Sequence, residues 1–187
     1  MDKRFLKIAR RLVASGGKIQ IYVASLKDYN EGRHTGEWID IDGIDGDEIL
    51  SAIGKFLDKR SKATGEVHEE WAIHDTDGVP YHLDDNPDLD QLGEFCSAPE
   101  GMRDAFGKFL DYHGGSGIAF SEFEEAFIGE FESGEEFVRQ NEGDAIEKKL
   151  RELDTYFDYE RYAEDLFVND YLDLDAGNRR IYVFTRR

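Results

Sequence analysis

The chain has 187 residues, of which 40% are hydrophobic and 13% aromatic, and a net charge of −19 from 42 Asp and Glu against 23 Lys and Arg. Apolar side chains run through every acidic region in numbers sufficient to offset chain entropy, which excludes an acidic disordered tail, and the length suits one large or two to three small domains. No run is apolar enough for a membrane span or a signal-peptide core, and the lone Cys96 excludes an internal disulfide and a thiolate zinc site, so a cytoplasmic protein without structural metal is expected.

Residues 2–13, DKRFLKIARRLV, place Phe5, Ile8, Ala9, Leu12 and Val13 at helical spacing and predict a short basic amphipathic helix. Ser15-Gly16-Gly17 ends it. KIQIYVASL then reads as a strand, DYNEGRHTG (28–36) as a loop and EWIDI as a second strand, together a hairpin with a long loop. IDGIDGDEILSAIGKFLDKR has acids at a helix N-terminus, Lys59 and Arg60 near its end, and an apolar stripe of Ile49, Ile53, Phe56 and Leu57. EEWAIHD at 69–75 is a third strand candidate.

From Asp84 the strand pattern stops. PDLDQLGEFC, PEGMRDAFGKFLDYH and IAFSEFEEAF predict three short helices, broken by glycines at 114–117. The last runs into FSEFEEAFIGEFESGEEF (120–137), with five Phe, seven Glu and no base. Gly129 interrupts its helical stripe, Ser133 to Glu136 forms an S-x-x-E capping box that starts a new helix, and IGEFE between them predicts a short extended segment. DAIEKKLREL is amphipathic, Asp158 is a helix N-cap for 159–167, and YLDLDAGNRRIYVF predicts a hairpin turning at Asp175 to Asn178.

The expected fold class is α+β, an elongated chain of three small domains: sheet plus helix (18–83), an acidic cluster of short helices (84–126), and a mixed domain of helices and antiparallel strands carrying a dimer interface (127–187), preceded by the basic helix at 1–17. Short acidic helices are unstable alone, so their phenylalanines must pack together.

Charge is segregated. Residues 1–20 hold six Lys/Arg and one Asp, 179–187 hold four Arg and no acid, whereas 64–136 hold twenty acids and two bases, Arg103 and Lys108. Such a field repels itself, and nucleic-acid binding needs the opposite sign, so direct contact with DNA or RNA is excluded. Salt adaptation fits poorly with the ten lysines that remain. DIDGIDGDE (40–48) lacks the spacing of an EF-hand, and His34, His68, His74, His82 and His113 are scattered without metal-ligand spacing. His74 and Asp75 are adjacent on a strand and point to opposite faces. No P-loop, G-x-S-x-G or G-x-G-x-x-G occurs, and among so many acids a pair of carboxylates is uninformative, so no catalytic residue and no cofactor site is assigned. A polyanion that occupies a surface built for nucleic acid remains. Two chains at −19 each match the charge of roughly 65 Å of duplex at one charge per about 1.7 Å, and two compact domains of this length span on the order of 80 Å.

IYVASLKDYNEGRHTGEWIDI, EEWAIHD, FEEAFIGEFESGEEF, and YFDYERYAEDLF followed by YVF resemble, in order and spacing, the ArdA family of antirestriction proteins over about residues 19–187. The basic helix before Ile19 departs from the family pattern. The resemblance implies a DNA mimic encoded on mobile elements, which occupies the DNA-binding groove of the host's type I restriction–modification enzymes. It also implies three small α+β domains in a row, a curved homodimer formed through the C-terminal domain, and neither catalysis nor cofactor.

On that reading the phosphate-like carboxylates fall in successive groups. Glu69, Glu70, Asp84 and Asp85 come first, then Asp88, Asp90, Glu94 and Glu100, followed by Asp104 and Asp111. Glu122, Glu124 and Glu125 continue the track, and Glu130, Glu132, Glu135 and Glu136 end it. Tyr156, Phe157, Tyr159 and Tyr162 stand as core or dimer interface, core for most of them. The basic ends are expected to pair with acids elsewhere. The competing reading is an acidic adaptor for another nucleic-acid-binding protein.

Overall fold

The structure, a computed structural model, describes residues 18–115, 117–150 and 156–186; the basic helix expected over 2–13 lies outside them. The class is α+β, with eight helices and two three-stranded antiparallel sheets among the described residues. The described chain divides into two compact units, residues 18–120 and 121–186.

In the first unit, β1 (Gln20–Ser25) is the central strand of the order β2-β1-β3. Its Ile21 and Val23 are fully buried, the inward half of a period-two pattern. β2 (Gly36–Asp40) pairs with it from Gln20↔Asp40 to Ala24↔Gly36, the expected hairpin, and β3 (Trp71–Asp77) pairs on the other side, with a bulge at Tyr22/Val23. The segment between β1 and β2 is more than a loop: it opens with a single helical turn, α1 (Leu26–Asn30).

α2 (Gly46–Thr64) starts at Asp45, whose carboxylate accepts the Glu48 N–H while Glu48 reaches back to the Asp45 N–H, a complete capping box. The expected stripe of Ile49, Ile53, Phe56 and Leu57 is buried, and Gly65 ends the helix in the left-handed conformation. α2 packs against α3 (Leu89–Ser97) through bare backbone. A Cβ on Gly93 would lie 2.4 Å from the Gly46 nitrogen, so glycine at both positions permits the contact. α4 (Arg103–Tyr112) follows a 3-10 turn over Glu100–Met102. Ring contacts link Tyr81 to Phe95, Phe95 to Phe106 and Phe106 to Phe120, at 5.2, 6.3 and 5.1 Å between centroids.

The second unit builds the sheet β4-β6-β5. α5 (Phe120–Ala126) leads directly into β4 (Phe127–Phe131), so the acidic aromatic stretch is helix, strand and helix, the strand falling on the segment expected to be extended. α6 (Gly134–Asn141) starts at Ser133, whose hydroxyl accepts the Glu136 N–H at 3.2 Å. The reciprocal half of the box is displaced by one residue, because the Glu136 carboxylate accepts the N–H of Glu132 at 2.6 Å. α7 (Gly143–Leu150) and α8 (Tyr159–Asn169) follow, the latter capped by Asp158 onto the Arg161 N–H.

β5 (Tyr171–Gly177) and β6 (Arg180–Thr185) form the final hairpin. Its turn lies further along than expected: Gly177 pairs with Arg180, and the two loop residues are Asn178 and Arg179, with φ of 52° and 64°. Two positive φ values make a primed turn, which matches the twist of the strands it joins. The phenylalanines of 120–137 divide between clusters. Phe123 and Phe127 pack with Phe184, while Phe131 and Phe137 join Val138, Ile146, Tyr159, Ala163 and Val183.

Candidate partner-binding surface

α3 buries Gln91, Leu92, Phe95 and Cys96, which leaves Asp90 and Glu94, one turn apart, facing solvent. Asp88 caps the helix by accepting the N–H groups of Asp90 and Gln91, a position where negative charge also meets the positive end of the helix dipole. α4 buries Ala105, Phe106, Phe109 and Leu110, so Asp104 and Asp111, two turns apart, are exposed. Glu69, Glu70, Asp84 and Asp85 are exposed on the segments between elements, and Glu100 is exposed on the 3-10 turn before α4. All ten expected carboxylates of this unit therefore reach water.

The two bases in this acidic run are used differently. Lys108 is half-buried on α4. Arg103 is turned inward: its guanidinium donates to the carbonyls of Ala98 and Cys96 at 2.9 and 2.7 Å and lies 2.6 Å from the Asp42 carboxylate. It ties the last turn of α3 to the loop before α2. Asp85, Asp90, Glu94 and Glu100 have no ion pair among the described residues. Cys96 beside this corner is fully buried, and burial pushes its thiol up to about 12, which makes it an inert core residue.

The second unit treats its glutamates in two ways. Glu122, Glu124 and Glu125 are exposed on α5, opposite buried Phe123 and Ala126, and Glu132 is exposed after β4. Glu130 is turned into the sheet, 10% exposed and paired with Arg180 at 2.9 Å, so one Arg of the basic C-terminus does pair with an acid of the chain. Glu135 pairs with Arg139 one turn on, and Glu136 holds the Glu132 N–H and the Gln140 side chain. Within 120–137, Glu130, Glu135 and Glu136 are thus held by partners in their own unit.

The four C-terminal aromatics separate as well. Tyr159 is buried beneath the Arg139 guanidinium, 3.8 Å from its ring centre, and Phe157 and Tyr162 lean on the same cluster. Tyr156 is 85% exposed.

The acid that sequence reading passed over is Asp28, read only as part of a loop. Its carboxylate is fully buried and accepts from Arg33 Nε, Thr35 Oγ1 and Arg60 Nε, each at 2.8 Å, while Arg33 also reaches Glu66 at 3.0 Å. Burial alone would raise this carboxyl; the hydrogen bonds from Thr35, Arg33 and Arg60 and the Arg60 charge outweigh it and hold the group down at about 2. The network fixes α1 and the segment up to β2 against α2. Arg33, five residues from Asp28, was the available local signal; Arg60 is 32 residues away and gave none.

A pocket of about 320 Å³ between β2 and α2 is lined by Glu37, Trp38, Ile39, Ala52, Lys55, Phe56 and Lys59, and its one carboxylate is already held by Lys59 at 2.6 Å. Among the described residues no group of three or more His, Cys, Asp or Glu is placed to hold a metal ion, and no helix is long and apolar enough to cross a membrane.

The pattern of the antirestriction protein ArdA matches residues 21–179, from the second residue of β1 to the tip of the final hairpin. The chain belongs to the ArdA family. Membership carries an antirestriction function, and ArdA is described by that function and not by a catalysed reaction. No curated protein matches the chain.

Proposed function

We propose that this ArdA protein inhibits type I restriction–modification enzymes by mimicking bent duplex DNA, its exposed carboxylates taking the positions of phosphates in the DNA-binding groove. The supporting observation is the use of Arg103. One of only two bases among the twenty acids of residues 64–136, it is committed to carbonyls and to Asp42 inside the unit. Asp85, Asp90, Glu94 and Glu100, which have no ion pair among the described residues, are then open to an outside partner. Lys and Arg arranged for phosphate gain charge-assisted hydrogen bonds from carboxylates on helices and capped turns, which hold them in place without further ordering cost.

The protein acts in the cytoplasm as a homodimer, with Tyr156 the member of the aromatic quartet exposed for that contact, and needs neither cofactor nor catalysis. An acidic adaptor for another nucleic-acid-binding protein would use the same carboxylates, and inhibition separates the two readings. A purified type I enzyme is expected to lose DNA cleavage on addition of this protein, with inhibition relieved by excess unmodified duplex and weakened by salt. Normal folding with no inhibition, and no competition with duplex, would falsify mimicry and leave the adaptor.

A further inference from the structure

Ile21 and Val23 fill the inner face of the first sheet, so Gln20 and Tyr22 belong to the other face, and strand register sets their neighbours there. Tyr22 lies between Trp38 and Asp75, and Gln20 between Asp40 and Asp77. The Tyr22 and Trp38 rings meet at 5.4 Å with a 57° tilt. Gly36 makes room for this pair: a Cβ there would lie 2.6 Å from Tyr22 Cζ and 2.7 Å from the Val23 carbonyl, so the tyrosine ring rests directly on the backbone of β2. Trp38 remains 44% exposed, although burying so large an aromatic would stabilise the unit. Asp40, Asp75 and Asp77 rim the pair and are exposed, and among the described residues the one cation against them is Lys18, 3.5 Å from Asp40.

We infer that the Tyr22–Trp38 pair is a seat for an arginine side chain of the bound protein. The acidic rim repels phosphate, nucleic acid, anionic lipid and acidic peptide, and attracts a cation. Between the two cationic side chains, a guanidinium is planar and weakly hydrated, so it stacks on indole and phenol while its fork of N–H groups reaches a rim carboxylate; an ammonium keeps its water and lacks the plane. The identity of the partner rests on the mimicry reading, in which the arginine comes from the DNA-facing surface of a restriction enzyme. The chemistry of the seat does not. The long-range field of the carboxylates sets how fast partners meet, whereas a desolvated aromatic contact sets how long they stay.

The first arm needs no restriction enzyme. The chain has two tryptophans, 38 and 71, so Trp71→Phe makes Trp38 the reporter. Hexa-arginine peptide is expected to perturb Trp38 emission at a severalfold lower concentration than hexa-lysine, and Asp75→Asn to reduce that difference. Equal responses, or none, overturn the seat. So does a rise in acrylamide quenching of Trp38 when residues 1–16 are deleted, since the face would then be filled by the chain's own basic segment.

The second arm uses a purified type I enzyme. Trp38→Ala is expected to speed dissociation about tenfold with association rate and salt dependence unchanged, and Trp38→Phe to keep most of the residence time. An unchanged dissociation rate in Trp38→Ala, with wild-type melting temperature, overturns the seat. If the unaltered protein fails to bind the enzyme at all, mimicry fails and the peptide arm alone decides the seat.

Discussion

Asp28 and the acids of α3 and α4 are the same chemical groups put to opposite uses within one unit. Around Asp28 two arginines and a threonine surround one fully buried carboxylate, and that acid organises the fold. Along Asp85, Asp90, Glu94 and Glu100 the nearby arginine is turned to backbone carbonyls, and those acids face solvent without an ion pair among the described residues. Carboxylates saturated by hydrogen bonds hold this chain together; the unsaturated ones repel one another, and on the proposed mimicry they serve a partner.

The contrast is sharpest in stability. Asp28→Ala leaves Arg60 uncompensated beside a buried site, and is expected to lower the unfolding free energy by about 3 kcal/mol in chemical denaturation. The same carboxylate sets a pH limit. Its folded pKa, about 2, is depressed below the unfolded value of about 3.9, so its contribution is fully present above about pH 4 and is lost as pH falls through about 2. Asp28→Asn should flatten that acid limb of a melting-temperature profile; a limb of unchanged depth would show that Asp28 is not the anchor.

Arg103→Gln removes the tie between the end of α3 and Asp42 and is expected to cost about 2 kcal/mol, without adding to the negative charge that faces outward from α3. Glu130→Gln weakens a nearly buried pair and should cost about 1 kcal/mol with inhibition unchanged once the protein is folded. At the small end, changing Asp85, Asp90, Glu94 and Glu100 together to amides should leave stability within about 0.5 kcal/mol or raise it slightly. That same variant should weaken inhibition about tenfold and lessen its salt dependence. If the four-amide variant melts much lower than the parent, or inhibits as well at every salt concentration, the division between structural and partner-facing acid breaks down.

Local chemistry was legible wherever it sufficed. The capping residues Ser133 and Asp158, the stripe Ile49-Ile53-Phe56-Leu57, and the strand inserted between two helices in 120–137 all follow from neighbours within a few residues, since caps and helical periodicity are local. The final turn was misplaced because its position depends on which residues of β5 and β6 pair, and Asn178-Arg179 yields to that register.

Sequence alone determined the class, the segregation of charge and the membership that the motif order suggested, because composition and periodicity survive without knowledge of contacts. Only the tertiary structure decided which acids are spoken for. Asp28 is met by Arg60 from 32 residues away and Glu130 by Arg180 from the far end of the chain, while Asp90 and Glu94 meet no cation among the described residues. Pairing of charge is a matter of distance in space, and a carboxylate in the sequence carries no mark of whether an arginine will fold onto it.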